Sequence, residues 1–357
     1  MLSNAVHGTV ERMRARLVAA AEAPLDPGTA DGPQVAYRFL VQRGDTELAV
    51  VPLNGSQPAV RFPAPWPRGY GSVAVSPSGD VAVFAGVHAL RAVDARGAVL
   101  WEHRHGCWSA ALCAERHASF AEYADDDDHA RADSGSAAFS ADGKHLWAHV
   151  RNHDPDDVRE EWLVLDPADG TVLGRADTGT VGSASFHLPH PDPSRMGMSV
   201  GEGEETSPVL WGHWDGSELS VRKFVDEVLL DISPSGREFL TTDTGQWDLY
   251  LTGLPDGREL RRLGHDTLPA ELLHDGEQRV RWEYAGALPY EGLAVAATEH
   301  SGDDPCHWLV DLRAMAVRGR IAYPSSVAGS PLPAGPGAWC TLSGDRGGVR
   351  LWSLPDA

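Results

Sequence analysis

The sequence predicts an all-β protein, a seven-bladed β-propeller with a short N-terminal helix. Three observations support this prediction: a unit of four short strands recurs about every 40 residues, tight Gly- and Pro-containing turns separate the strands, and the copies number seven. Repetition of a four-stranded unit favours a closed ring, because closure removes exposed sheet edges. Six or eight blades remain alternatives, and a β-sandwich is the alternative architecture.

The elements follow in order along the chain. Residues 1–24 are predicted to form a basic amphipathic helix, with Val6, Val10, Met13 and Leu17 on one face. A degenerate unit at 35–64 lacks an obvious first strand. The clearest copy, 71–105, has its strands A, B, C and D at 72–76, 81–85, 90–94 and 99–103.

Five further copies complete the ring, which is predicted to be a single domain over 35–357. They lie at 137–176, 183–224, 227–264, 279–323 and 328–354. The last copy offers only three strands, so the two incomplete units meet where the ring closes.

Several repeats resemble a known family. The strand ends VRLWSL (349–354) and PVLWGHWD (208–215), the pair Gly264-His265 and the SPSG turns at 76–79 and 233–236 resemble the WD40 repeat. AVDARGAVLWE and LVLDPADGTVLGR are more similar to the quinoprotein-type propeller repeat. The resemblance implies a WD40-like propeller and transfers no active site, because propellers host binding and catalysis alike.

The bulk composition restricts the partners. The net charge of −21 argues against nucleic acid or an anionic membrane surface as a partner. No apolar run is long enough to span a bilayer. Four cysteines without a secretion signal are expected to be thiols, which predicts a cytoplasmic protein.

One segment between blades carries candidate metal ligands. The residues His105, Cys107, Cys113 and His117 have the spacing H-x-C-x5-C-x3-H, and two thiolates with two imidazoles suit tetrahedral zinc. The alternative is buried cysteines that act as small apolar residues. The run Asp125–Asp128 offers calcium ligands, although four consecutive acids are more typical of a solvated loop.

The strand order also predicts an acidic face. Connections D–A and B–C open on one face of a propeller, and the long ones (104–134, 152–161, 202–207, 265–278 and 300–307) contain 21 acidic and 4 basic residues. We expect binding residues on such loops. Trp66 and Trp108 are the tryptophans expected to be freest for contact, and the acidic candidates are Asp125, Asp126, Asp127, Asp128, Asp154, Asp156, Asp157, Glu202, Glu204, Glu205, Asp266, Asp303 and Asp304.

These features predict a noncatalytic interaction scaffold whose acidic face binds a basic protein or peptide. The basic N-terminal helix is a candidate occupant of the same face. The alternative is a metal-assisted hydrolase or lactonase-like enzyme at the central channel, with ligands drawn from Asp154, Glu202, Asp266 and His300. A sensor of a small ligand or calcium is a third hypothesis.

Overall fold

The computed structural model confirms a WD40-like seven-bladed, all-β propeller. It describes residues 11–55, 58–109, 113, 115–130, 134–154, 157–203, 206–264, 281–299 and 305–355. Each blade is an antiparallel sheet whose strands run from A, at the centre of the ring, to D, at its rim. Among the described residues, both helices are single 3-10 turns, Arg68–Tyr70 and Phe120–Glu122, and neither has the length to cross a membrane.

The strands have the following bounds. The first two are β1 (Glu11–Arg14) and β2 (Arg16–Glu22). Blade 1 contains β3 (Gln34–Ala36), β4 (Phe39–Arg43), β5 (Glu47–Pro52) and β6 (Val60–Pro63). Blade 2 contains β7 (Gly71–Val75), β8 (Val81–Gly86), β9 (Ala89–Asp94) and β10 (Val99–Arg104). Blade 3 contains β11 (Ala137–Phe139), β12 (Leu146–Arg151), β13 (Glu160–Leu165) and β14 (Val172–Asp177).

The remaining blades follow the same plan. Blade 4 contains β15 (Ala184–Pro189), β16 (Arg195–Gly201), β17 (Pro208–Trp214) and the first part of β18 (Leu219–Ile232). Blade 5 contains the second part of β18, β19 (Glu238–Asp243), β20 (Leu249–Gly253) and β21 (Arg258–Leu263). Blade 6 contains β22 (Trp282–Tyr290), β23 (Leu293–Thr298), β24 (Cys306–Asp311) and β25 (Ala316–Ala322). Blade 7 contains β26 (Val327–Pro333), β27 (Trp339–Ser343) and β28 (Gly348–Ser353).

The N-terminal segment closes the ring, so the predicted helix over 1–24 is not confirmed. Strand β2 pairs antiparallel with β28 and supplies the missing D strand of blade 7, while β1 pairs in parallel with β25 of blade 6. The backbone groups of residues 11–22 thereby form hydrogen bonds with the open edges of two strands, and Ala15 and Ala21 become buried. These gains outweigh the modest helix propensity of the segment. Residues 1–10 lie outside the described part of the chain.

Blade 1 has a first strand, β3, that is not obvious from its sequence. The run VAYRFLV is divided between β3 and β4 by a two-residue turn in which Tyr37 adopts a φ of 55°. A left-handed conformation is uncommon for an aromatic residue, and the Tyr37 hydroxyl donates a hydrogen bond to the Phe139 carbonyl 2.8 Å away in blade 3. The turn is therefore held by a contact from outside its own blade.

The core lies between the blades. Seven of the buried apolar clusters each join two neighbouring blades, including one that joins blade 7 to blade 1 through Val349 and Leu40. The strand tryptophans predicted to pack between blades are all buried, namely Trp101, Trp147, Trp162, Trp308 and Trp352. Large aromatic rings are buried at six of these interfaces, whereas the one between blades 7 and 1 contains only aliphatic residues.

The antiparallel order gives the ring two unlike faces. We call the face with the D–A and B–C connections the loop face, and the face with the A–B and C–D connections the turn face. Connections on the turn face are short, as at 95–98 and 233–237, whereas the loop face carries 105–136 between β10 and β11. We call 105–136 the insertion.

Candidate functional site

Both ends of the insertion are attached to blade 3 by glycines. The Gly106 amide donates to the Arg151 carbonyl at 2.8 Å, and the Gly135 backbone passes close to His149. A Cβ atom added at Gly106 would lie 2.0 Å from the Asn152 oxygen, and one at Gly135 would lie 1.9 Å from the His149 oxygen. Only glycine permits these approaches, so the sequence fixes where the insertion leaves and rejoins the ring.

Trp108 and Trp66 are buried, so the prediction that they are free for contact is wrong. The Trp108 ring packs against His149 at 5.2 Å between centroids and lies under the Arg151 guanidinium. The Trp66 ring packs edge-on against His88, at 5.8 Å between centroids. The connections that carry these two tryptophans fold back onto the blades, because removing a large aromatic ring from water stabilises the folded state.

Four thiol and imidazole groups converge inside the insertion. The ligand atoms of Cys107, Cys113, His117 and His129 all lie within 4.8 Å of one another. Cys113 Sγ is 3.3 Å from His117 Nε2, and that nitrogen is 3.2 Å from His129 Nε2. We call these four residues the Cys-His cluster. Among the described residues, it is the group of potential ligands that has the geometry of a metal site.

His105, which the sequence places in this group, does not belong to it. Its amide donates to the His88 carbonyl at 2.9 Å, and its Nδ1 lies 2.8 Å from the Gly106 carbonyl. These hydrogen bonds extend the pairing of β10 beyond its last residue, and they keep the His105 imidazole away from the thiols. Burial lowers the pKa of His105 to about 3. His129 takes its place, brought in by the turn Asp126–His129, in which the His129 amide donates to the Asp126 carbonyl at 3.1 Å.

Two carboxylates orient the imidazoles of the Cys-His cluster. His129 Nδ1 donates to Asp126 Oδ2 at 3.0 Å, and His117 Nδ1 faces Glu122 Oε2 at 3.5 Å. Both rings therefore direct Nε2 toward the thiols. A carboxylate on the far nitrogen is the usual partner of a metal-binding histidine, because it fixes the tautomer and raises the basicity of the ligand.

Aromatic packing supports the same cluster from beneath. The Tyr123 ring stacks on His129 at 4.8 Å with an interplanar angle of 24°, and its hydroxyl lies 2.6 Å from Nδ1 of His88 in blade 2. Burial raises the pKa of Cys107 to about 12. A cleft of about 330 Å³ reaches Cys113, His117 and His129 from solvent. The cluster is thus packed on one side and accessible on the other.

The acidic candidates have different surroundings. Asp125, Asp127 and Asp128 are exposed, and Asp126 is exposed while it also holds His129. Because these carboxylates do not converge on a common point, the run has no calcium-binding geometry of its own. The candidates Asp156, Glu204, Glu205, Asp266, Asp303 and Asp304 lie outside the described residues.

The other described candidates lie along blades 3 and 4. Asp154 and Asp157 are exposed in the B–C connection of blade 3, where Asp157 pairs with Arg159. Glu202 accepts a hydrogen bond at 2.8 Å from the Val181 amide, which lies in the connection between blades 3 and 4. Of the ligands proposed for an enzymatic site at the channel, Asp266 and His300 are outside the described residues, so that hypothesis stays a prediction.

Blade 3 contains a buried ionic group that the sequence does not predict. Glu160 is 3% exposed and accepts hydrogen bonds from Thr180 Oγ1 and the Gly182 amide, both at 2.7 Å, with His149 Nε2 at 3.2 Å. Burial alone would raise the pKa of Glu160, but His149 and these hydrogen bonds outweigh it, so that the pKa is lowered. Glu160 therefore contributes to the interior of blade 3 and not to the charge of the loop face.

Comparisons with known proteins agree with the fold. No protein-family model and no curated protein matches the chain. Its structure is similar to the β-propeller domain of Cps50 (Swd1) from Myceliophteria thermophila, with a TM-score of 0.54, 10% identity, and coverage of 91% of this chain and 97% of that chain.

Two further structures are similar at TM-scores below 0.5. The WD40 β-propeller domain of Doa1 has a TM-score of 0.48 and 11% identity, with 97% of each chain covered. BamB from Moraxella catarrhalis has a TM-score of 0.46 and 12% identity, with 96% of this chain and 98% of that chain covered. At 10% identity the similarity to the Cps50 (Swd1) domain shows the β-propeller fold alone, and function has to be argued from the site.

Proposed function

We propose that this protein is a noncatalytic interaction scaffold whose loop face binds a basic segment of a protein or peptide. The observation that carries the proposal is the unequal distribution of charge and loop length between the two faces. With the bounds predicted from the sequence, the long connections of the loop face contain 21 acidic and 4 basic residues, against a net charge of −21 for the chain; of these acids, Glu160 and Glu161 belong to β13. A rigid ring that displays one sign of charge on its loops attracts a partner of the opposite sign.

The exposed carboxylates that support the proposal come from neighbouring blades. Asp125, Asp127 and Asp128 lie on the insertion, and Asp154 and Asp157 lie on the B–C connection of blade 3. Arg116 of the insertion donates to the His153 carbonyl at 2.5 Å, which brings the two loops together. Burial of Glu160 removes one charge from this surface.

The test compares two variants with equal loss of charge. The first combines Asp125→Asn, Asp127→Asn and Asp128→Asn and leaves Asp126 in place to hold His129. The control combines Asp169→Asn, Glu218→Gln and Asp256→Asn, which are exposed acids in the C–D connections of blades 3, 4 and 5 on the turn face. Asparagine retains the oxygen that accepts turn hydrogen bonds at Asp169 and Asp256.

Binding of a Lys/Arg-rich peptide is then measured by calorimetry at low salt and at 0.3 M salt. We expect the loop-face variant to weaken binding by about fivefold, roughly 1 kcal/mol for three exposed charges, and the turn-face control to match the parent protein. Equal losses in both variants would show that only net charge matters and would remove the loop face from the proposal. If the parent protein does not measurably bind the peptide, the proposal of a basic partner is wrong.

The proposed setting is the cytoplasm. Cys107, Cys113, Cys306 and Cys340 are thiols and not disulfides, and thiols suit a reducing compartment. Fractionation of the cells that make the protein tests this, and recovery from an oxidising compartment contradicts it.

A further inference from the structure

We propose that the insertion contains a structural zinc site that fastens it to the loop face. The four ligands are Cys107, Cys113, His117 and His129. The inference rests on the geometry of the Cys-His cluster alone and is independent of the proposed partner.

Two of the six distances between the ligand atoms are close to the edges of a tetrahedron centred on zinc, and all six lie within 4.8 Å. Zinc binds sulfur at about 2.3 Å and nitrogen at about 2.05 Å, so its tetrahedral edges are about 3.5 Å for S–N and about 3.3 Å for N–N. The corresponding separations are 3.3 Å from Cys113 Sγ to His117 Nε2, and 3.2 Å from His117 Nε2 to His129 Nε2. Because both Nδ1 atoms face carboxylates, the neutral rings both present an unprotonated Nε2, and two such acceptors at 3.2 Å repel each other unless a cation lies between them.

The surroundings supply what a zinc site needs beyond its ligands. Asp126 and Glu122 hold the far nitrogens of His129 and His117, so each ring already presents Nε2 in the orientation for coordination. Two thiolates would neutralise the charge of Zn²⁺. The cleft beside Cys113 gives the ion a path from solvent.

The donor set favours a structural role over a catalytic one. Four protein ligands complete the tetrahedral shell and leave no position for an activated water, unlike three-ligand catalytic zinc sites. The ligands come from three separate stretches of the insertion: Cys107 beside the β10 end, the pair Cys113 and His117, and His129 after the acidic run. One ion joins these stretches where no described strand connects them, and it positions Asp125–Asp128 on the loop face.

The first measurement is the metal content of the full chain, prepared without a histidine tag and without chelators. We expect about one zinc per chain by inductively coupled plasma mass spectrometry. After exchange with Co²⁺, we expect the visible absorption of a tetrahedral site and a thiolate-to-cobalt charge-transfer band. A folded protein that contains no zinc and does not bind added Zn²⁺ or Co²⁺ overturns the proposal, as does a Cys107–Cys113 disulfide that persists in protein isolated under reducing conditions.

The second measurement uses matched variants. Cys113→Ser and His129→Gln each remove one ligand, whereas Cys340→Ala in β27 and His213→Gln in β17 remove the same residue types far from the cluster. We expect the ligand variants to lose stoichiometric zinc and the cobalt thiolate band, and the controls to keep both. Ligand variants that bind zinc as tightly as the controls contradict the assignment of these four residues.

Limited trypsin digestion separates loss of the site from loss of the fold. Arg116 is exposed within the insertion, between Cys113 and His117. We expect a chelator, or either ligand substitution, to speed cleavage at Arg116 at least about tenfold while the β-sheet circular dichroism of the ring is retained. Unchanged cleavage on zinc removal overturns the fastening role. Peptide binding is scored separately, so failure of the zinc site and failure of the proposed partner are distinguishable.

Discussion

The connection from blade 4 to blade 5 has no loop, whereas the connection from blade 2 to blade 3 is the insertion, 105–136. In the first case β18 simply continues from one sheet into the next and both halves have strand partners. In the second case the chain leaves the sheets and is held by glycine contacts, aromatic packing and the Cys-His cluster. The ring therefore does not require long connections, and the insertion has its own means of stabilisation.

The largest expected effect tests the ring at its closure. Ala21 of β2 is buried against Leu40 and Val349, and Ala20, the next residue, is exposed. We expect Ala21→Asp to lower the free energy of unfolding by about 3 kcal/mol or more, because it buries a charge without a partner. Ala20→Asp is the control, with an effect of less than about 0.5 kcal/mol in denaturant titration. Equal effects would contradict the placement of β2 as the D strand of blade 7.

The next prediction tests the attachment of the insertion. Gly135→Ala puts a Cβ within 1.9 Å of the His149 oxygen and 2.6 Å of the Trp108 ring, so the end of the insertion must shift. We expect a loss of about 2–3 kcal/mol in thermal unfolding together with weaker zinc binding. Gly69→Ala, where a Cβ meets no atom within 4 Å, serves as the control. If both variants have the same stability, the glycine contact does not hold the insertion.

The third prediction addresses the support of the proposed zinc ligands. Asp126→Ala removes the carboxylate that accepts a hydrogen bond from His129 Nδ1, and Asp127→Ala removes an adjacent exposed carboxylate. We expect zinc affinity, measured by competition with a chromophoric chelator, to fall about tenfold or more for Asp126→Ala. An equal loss in Asp127→Ala would mean that Asp126 acts through charge alone and does not position His129.

The smallest expected effect is a pH dependence that belongs to the ring. Burial lowers the pKa of His307 from 6.5 to about 4. Its Nε2 lies 3.0 Å from the Gly329 carbonyl and its Nδ1 lies 2.7 Å from the Tyr323 hydroxyl, so the neutral ring is fully hydrogen-bonded. The unfolded chain takes up a proton below pH 6.5 and the native state does not, so stability is lost as the pH falls toward 4.

We expect this histidine to cost about 1 kcal/mol between pH 7 and pH 5.5. Urea titrations across this range measure the loss, and His307→Gln provides the comparison because its amide retains a donor for the Gly329 carbonyl. The variant should show a correspondingly flatter dependence on pH. Parallel curves for the two proteins would show that His307 is protonated in the native state.

The strands of the regular blades can be predicted from the sequence, because alternating apolar residues and turn residues are local signals. The predicted strands of blade 2 agree with β7–β10 to within about one residue at each end. The closing strands β1 and β2 are not readable, because their helical appearance is overruled by distant partners on β25 and β28.

The residues of the Cys-His cluster can be predicted only in part, because one of them is brought in by the fold. Cys107, Cys113 and His117 are close enough in the sequence to suggest a ligand set. His129 lies beyond the acidic run, and only the turn that follows Asp126 brings it back. The burial of Trp66 and Trp108 is not predictable from the local sequence either, since each is buried by contacts with a neighbouring strand or loop.

The pairing of β2 with β28 also has a consequence for synthesis. Arg16 and Ser353, joined by a side-chain hydrogen bond, are separated by 337 positions in the chain. Strand β2 therefore leaves the ribosome long before its partner exists, and β28 emerges with an unpaired outer edge. Contacts between such distant segments form slowly, and unpaired strand edges favour aggregation. During translation there is thus a period in which the edges of β2 and β28 are unpaired and can pair with other chains.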